Sequence, residues 1–112
     1  MLTTKDILAG FIEHLEHVRQ RPGPFVGAYT EVAIRTYLVG FNTACRLCGY
    51  EQEDRVFWEV CAERGWEMNT LGPQKLMNDA GWAEHDIVDE MIIIEIETWK
   101  KMQSQLPASE TS

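Results

Sequence analysis

The chain of 112 residues is long enough for one domain with one hydrophobic core. Hydrophobic residues make up 45% and charged residues 25%, values close to the globular average that argue against disorder or a fibrous repeat. The formal net charge of -8 weighs against nucleic-acid binding, and no apolar run approaches the roughly 20 residues that cross a bilayer. Acidic residues follow the start of the chain too early for a secretory signal, so we expect a cytoplasmic protein.

The negative charge is concentrated in the second half of the chain. Residues 1–50 hold five Lys or Arg and four Asp or Glu, whereas residues 51–112 hold five against fourteen. A surface of this sign repels the phosphates of nucleic acids and of anionic lipids, and it speeds encounter with basic proteins. We therefore expect a basic protein partner, with no nucleic acid and no membrane.

The spacing of apolar residues predicts an all-α protein, a compact bundle of about five helices. The first helix spans about residues 4–20 and begins at Thr3, whose hydroxyl can cap it. The second spans about residues 31–48, with Thr30 as its cap and Gly49 placed to end it.

The second half predicts three more helices. The third spans about residues 54–64 and ends at Gly65, and a short fourth helix begins at Pro73 and ends before Gly81. The apolar pattern over 87–102 suits a central, heavily buried helix, because it is too long for a typical strand. Its isoleucines also suit a strand, so both interpretations stay open. We predict one helical domain over 1–102 and a flexible polar tail over 103–112.

The stretch "RPGPFVG" at 21–27 predicts a stiff Pro/Gly loop between helices one and two. Each proline pushes the residue before it out of the helical region, and neither can donate a backbone N–H to a phosphate. We expect the loop to stop the first helix, to plug the core and to turn the chain back. The residues given these structural roles are Arg21, Pro22, Gly23, Phe25 and Gly27.

The sequence contains one pair of histidines and one pair of cysteines, and the two members of each pair are three positions apart, a spacing that suits zinc ligands on a helix. His14 and His17 could form a zinc site with Cys45 and Cys48 if the two pairs faced each other. Helical phase places both cysteines on the apolar stripe of helix two and His17 toward the polar side of helix one, so we predict no metal and no cofactor. The odd number of cysteines, 3, argues against a disulfide framework.

No arrangement of residues predicts catalysis. The G-x-S-x-G motif of serine hydrolases is missing. Most carboxylates are interpreted as lying on solvated helix faces, including Asp86, Glu90 and Glu97. We therefore expect the protein not to be an enzyme. Glu95 differs, because helical phase places it among apolar residues of the last helix. If buried, it needs a partner such as Arg21 or Arg35, or else it is protonated.

Trp58 lies off the apolar stripe of the third helix, close to several carboxylates. An aromatic residue surrounded by acidic groups is typical of a binding hot spot for a basic protein. The partner-binding residues predicted on this basis are Trp58, Glu59, Glu63 and Glu67. A purely structural role also fits, with Trp58 packed under the following segment, "WEMNTLGPQKL".

Residues 10–45 resemble a group of small bacterial helical proteins, some of which are toxin-neutralising immunity proteins. In that group "RPG", a short apolar patch and a glycine precede a helix similar to "YLVGFNTA", which is residues 37–44 here. The resemblance implies a toxin-neutralising role, and the acidic second half points to a basic toxin such as a nuclease as the partner.

Two other functions stay open. One is a small metal-binding or enzymatic protein that uses the His14/His17 and Cys45/Cys48 pairs. The other is a homo-oligomeric interaction module that associates through an exposed tryptophan. We expect a monomer or a homodimer.

Overall fold

The computed structural model describes residues 2–67 and 72–107, and over these ranges the protein is entirely helical. Its elements are α1 (Thr4–Gln20), α2 (Pro22–Val26), α3 (Glu31–Leu47), α4 (Asp54–Glu63), α5 (Gly72–Asp79) and α6 (Glu84–Ser104). The predicted all-α class is confirmed, and the isoleucine run lies in a helix rather than a strand. The described helices number six rather than about five, because the predicted Pro/Gly loop is itself a short helix.

The predicted threonine caps begin α1 and α3. The Thr3 hydroxyl accepts a hydrogen bond from the Asp6 backbone N–H at 3.1 Å, and the Asp6 carboxylate accepts one from the Thr3 backbone N–H at 3.0 Å. This reciprocal pair satisfies two of the backbone donors that a helix leaves unpaired at its start. Thr30 accepts a hydrogen bond from the Ala33 N–H at 3.2 Å, so it caps α3 as predicted.

Three helices end on a glycine in the left-handed conformation that is followed at once by an aromatic residue. Gly81, with φ of 81°, donates to the Asn78 carbonyl, and the Trp82 N–H reaches back to the Met77 carbonyl at 3.1 Å. This is the Schellman arrangement, which satisfies the last carbonyls of a helix and fixes the direction of the next side chain. The glycine–aromatic pairs are Gly49–Tyr50, Gly65–Trp66 and Gly81–Trp82.

The predicted stiff loop is wrong in its conformation. Pro22 occupies the first turn of α2, where a missing N–H costs nothing, so the residue that stops α1 also starts α2. Gly27 has φ of 87° and ends this five-residue helix. Phe25 does not plug the core, since it is 41% exposed, whereas Val26 does pack against the core.

Helix α6 lies at the centre of the molecule. Helices α1, α3, α4 and α5 all pack against it, and its buried residues occur on nearly every side, as expected of a central helix. The prediction of a central, heavily buried last helix is therefore confirmed. The main core cluster comprises Leu8, Ile12, Leu15, Val18, Ile34, Leu38, Cys45, Val88, Ile92, Ile96 and Trp99.

The region predicted to be a flexible tail begins as ordered structure. Helix α6 continues to Ser104, and the Gln103 side-chain amide donates to the Lys5 carbonyl of α1 at 2.9 Å. Leu106 then packs against the main core. The rest of the predicted tail, 108–112, lies outside the described residues.

Candidate functional site

The predicted acidic patch on α4 is largely neutralised by bases of the same molecule. Glu59 forms ion pairs with Arg55 at 2.7 Å and with Lys101 at 3.3 Å. Glu63 also pairs with Lys101, which reaches it from α6. Lys101 therefore links α4 to α6 at the surface, and the charge of these carboxylates is only partly available to a partner.

The predicted hot-spot residues do not form one surface. Trp58 is half-buried, meets the Phe57 ring edge-on at 5.1 Å between centroids, and lines a cavity beside α3. Glu63 lines a different groove, together with Lys101. Glu67 is exposed. The structural alternative for Trp58, packing under "WEMNTLGPQKL", is described in part: Gly72, Pro73 and Gln74 line the same cavity as Trp58, whereas residues 68–71 lie outside the described residues.

The structure shows another exposed tryptophan beside carboxylates, at the junction of α5 and α6. Trp82 is 40% exposed and meets the ring of Trp66 edge-on, with centroids 5.1 Å apart. A groove of about 460 Å³ runs past it, and we call it the Trp82 groove. It is lined by Gly81, Trp82, Ala83, Asp86, Asp89 and Glu90.

Local helix geometry assembles this groove. Trp66 and Trp82 each follow a left-handed glycine that ends a helix, so both indoles are directed by a capping turn rather than by a mobile loop. The carboxylates come from the first turns of α6, where residues three and four apart share a face. The groove therefore places the Trp82 indole beside acidic side chains whose positions are fixed by helix α6.

The carboxylates of the Trp82 groove differ in their availability. Glu90 is only 6% exposed and receives both arms of the Arg64 guanidinium, at 2.7 and 2.6 Å. Asp89 is bound by Arg19 from α1 at 2.7 Å. Asp86 is exposed, and the side chain of its neighbour His85 lies 3.7 Å away. Every charged residue that lines the groove is acidic, and Asp86 is the carboxylate most open to a partner.

The solvated role predicted for Glu90 is wrong. Its carboxylate also accepts a hydrogen bond from the Trp66 indole N–H at 3.0 Å, so three donors hold it inside the protein. The arginine and the indole come from the end of α4, about 25 positions earlier in the chain, and helical phase within α6 could not reveal them. The recurring glycine–tryptophan dipeptide was a usable signal for the groove.

The two pairs of soft ligands do not converge. The His14 Nε2 atom hydrogen-bonds the Tyr37 hydroxyl, and its ring stacks on Phe41 with centroids 5.4 Å apart. Cys45 is buried, whereas Cys48 and His17 are exposed. Among residues 2–67 and 72–107, no group of three or more His, Cys, Asp or Glu side chains could hold a metal ion.

Two of the three thiols are also poor nucleophiles. Burial raises the pKa of Cys45 to about 11 and that of Cys61 to about 11. Because the thiolate is the reactive form, both groups are almost entirely protonated at neutral pH. Their side chains act as small apolar groups within the helix packing.

Glu95 is buried as predicted, but its predicted arginine partners are wrong. Its Oε2 atom accepts hydrogen bonds from the Gln52 amide at 2.7 Å and the Asn42 amide at 3.2 Å. Burial raises the pKa of this carboxyl, and the two amide hydrogen bonds oppose that rise. Arg21 and Arg35 are both exposed, and amide donors meet the acid without burying a second charge.

Comparisons with known proteins add no relative: a scan against protein-family profiles, a search of curated proteins and a search of solved structures each found no match. Within the described part of the chain, no helix has both the length and the apolar character needed to cross a bilayer.

Proposed function

We propose that this protein binds a basic protein partner through the Trp82 groove. The observation that carries the proposal is an exposed tryptophan in a groove whose described charged lining residues are acidic, and of these Asp86 is the one that no Arg or Lys pairs. An indole face attracts the cationic head of Lys or Arg, and a neighbouring carboxylate adds a charge-assisted hydrogen bond. Tryptophan is also enriched among the residues that contribute most to binding energy at protein interfaces.

The charge of the whole molecule supports a basic partner. Residues 51–112 carry nine more acidic than basic residues, from fourteen against five. Long-range attraction of this kind raises the association rate with a cationic protein and disfavours anionic partners.

Within this class we propose an immunity protein that neutralises a basic toxin such as a nuclease. The cationic surface with which a nuclease holds nucleic-acid phosphates would be attracted to the same acidic surface, and the bound protein would cover it. The resemblance of residues 10–45 to small helical immunity proteins agrees with this role.

The test is affinity capture with the purified protein as bait, followed by identification of the captured protein by mass spectrometry. We expect a basic protein whose toxic or nuclease activity falls when the bait is added in equal amount. Trp82→Ala and Asp86→Asn baits should capture at least tenfold less of it. The matched controls are Leu47→Ala and Glu13→Gln, which remove an exposed apolar and an exposed acidic side chain elsewhere.

Three results would contradict the proposal. The captured protein could be acidic, its activity could persist in the complex, or the Trp82 groove variants could capture as well as the wild type. Equal losses in the control variants would likewise show that the contact is not specific to the groove.

A further inference from the structure

A second cavity lies between α3, α4, α5 and α6, and it shares no lining residue with the Trp82 groove. We call it the Glu95 cavity. Its volume is about 340 Å³, within the range of small-molecule sites. Its apolar wall includes Leu38, Val39, Phe57, Trp58, Pro73 and Met91.

Among the described residues, the polar side of this cavity has one buried acceptor without a donor, Asn42 Oδ1, and a carboxylate, that of Glu95, which is paired on one oxygen. Both amides that reach Glu95, from Asn42 and Gln52, donate to the same atom, Oε2, and no described residue donates to Oε1. The Asn42 Oδ1 atom is fully buried and accepts no hydrogen bond. Glu95 and Asn42 both line the cavity, and Glu95 is only 8% exposed. A buried acceptor without a donor costs about 1–3 kcal/mol.

We infer that the Glu95 cavity binds a small organic cation, a primary amine attached to an aromatic or aliphatic body. An ammonium group carries three N–H donors and no acceptor, so it can donate to the Glu95 carboxylate, whose Oε1 atom no described residue pairs. Its positive charge balances the buried carboxylate, and its apolar body packs against the wall that contains Phe57 and Trp58.

Other ligand classes fit the cavity less well. An anion would be repelled by the Glu95 carboxylate, and an apolar molecule without donors would leave the charge of that carboxylate unbalanced. A metal ion fits less well, since no group of three or more His, Cys, Asp or Glu among the described residues is arranged to hold one. Arg35 lines the cavity from α3, but the donors to Glu95 are Asn42 and Gln52, and Asn42 Oδ1 has no donor.

The test uses phenethylamine as the probe, with 2-phenylethanol and 3-phenylpropionate as neutral and anionic analogues of similar size. Titrations of ¹⁵N-labelled full-length protein, followed by NMR, give the dissociation constant and locate the site. We expect saturable binding of the amine with a Kd of about 1 mM or tighter, at least tenfold tighter than either analogue. The shifted amides should belong to residues that line the Glu95 cavity.

Variants separate this site from other acidic groups. Glu95→Gln keeps the shape of the side chain but removes its charge, and it should weaken amine binding at least tenfold. Glu97→Gln removes an exposed carboxylate from the same helix and should leave the Kd unchanged. Asn42→Ala removes an amide that holds the Glu95 carboxylate in place, should also weaken binding, and provides a further test if one variant fails to fold.

Several outcomes would overturn the inference. These are no saturable binding of phenethylamine, equal affinity for the amine and its neutral analogue, or unchanged affinity in folded Glu95→Gln protein. Shifts confined to the Trp82 groove, abolished by Trp82→Ala, would also overturn it. Because the two sites share no lining residue, that last result would leave the proposed partner-binding site intact.

Discussion

Two buried glutamates one and a half turns apart on α6 are accommodated in different ways. Glu90 is paired with an arginine and an indole, whereas Glu95 has only two neutral amides on a single oxygen. The ion pair balances the charge of Glu90, but no Lys or Arg in the described part of the chain forms an ion pair with Glu95. Burial therefore raises the pKa of Glu95, and the cost of its charge depends on pH.

Glu95→Gln should stabilise the protein at neutral pH. A carboxyl with a raised pKa in the folded state favours folding below its unfolded pKa, and this contribution is lost as pH rises through the folded value. The glutamine variant has no such loss, so its free energy of unfolding should exceed that of the wild type by about 1 kcal/mol at pH 7.

Urea unfolding between pH 4 and pH 8 measures this difference. The advantage of Glu95→Gln should shrink as pH falls, because the wild-type carboxyl becomes neutral. The control Glu97→Gln, with an exposed side chain, should show no comparable trend. If the stabilisation by Glu95→Gln grew toward low pH, the result would contradict a raised pKa of Glu95 in the folded protein.

Arg64→Met should destabilise the fold by about 2 kcal/mol, because Glu90 would stay buried without its cation. The matched variant Arg55→Met breaks ion pairs that are exposed to solvent and should have a much smaller effect. Chemical denaturation of both variants gives the comparison. The double variant Arg64→Met/Glu90→Gln should recover part of the loss, and a purely additive result would show that the pair is not coupled.

At the scale of the elements, left-handed glycines fix how the helices end. An alanine at Gly81 would meet no atom within 4 Å, but it would have to adopt φ of 81°. We expect Gly81→Ala to cost about 1 kcal/mol and to weaken capture by the Trp82 groove, since Trp82 is directed by the same turn.

Gly40→Ala is the matched control for that variant. Gly40 lies within α3, is exposed and has open space where the new methyl group would sit. Alanine is the better helix former, so thermal unfolding should show a gain of about 0.5–1 kcal/mol. If Gly81→Ala lowers the free energy of unfolding and Gly40→Ala raises it, backbone conformation rather than side-chain packing determines both effects.

Local signals in the sequence predicted most of the elements. Thr3, Thr30, Gly49 and Gly65 mark real helix ends, because capping depends on residues only a few positions apart. Helix α2 was missed because a proline both stops one helix and begins the next.

The candidate site was harder to predict than the helices. Helical phase correctly indicated that Glu95 is buried, yet it could not supply partners from other helices. Helical phase likewise could not show that Lys101, at the far end of α6, pairs with the α4 carboxylates beside Trp58. Contacts between elements distant in sequence decided which acidic groups remain available.

Across the whole molecule, the basic residues of the acidic half are already occupied. All five form ion pairs with carboxylates of the same chain. They are Arg55, Arg64, Lys75, Lys100 and Lys101. The excess carboxylates are therefore left without internal cations, and they set the long-range field that a partner meets.

Association with a basic partner should consequently slow as salt is added. We expect the association rate constant to fall about tenfold between 50 and 500 mM NaCl, while the dissociation rate changes less. Stopped-flow mixing with the captured partner measures both rates. Asp86→Asn should reduce the salt dependence more than Glu13→Gln, and a rate that is independent of salt would count against electrostatic steering.

The distribution of the cysteines allows the native protein to be labelled selectively at one position. Cys48 lies at the surface, whereas Cys45 and Cys61 are shielded by the helix packing. A maleimide dye should therefore attach to one position in the native protein and to all three after denaturation. A fluorophore at Cys48, just beyond the end of α3, would label the molecule without a substitution and allow the binding titrations to be followed optically.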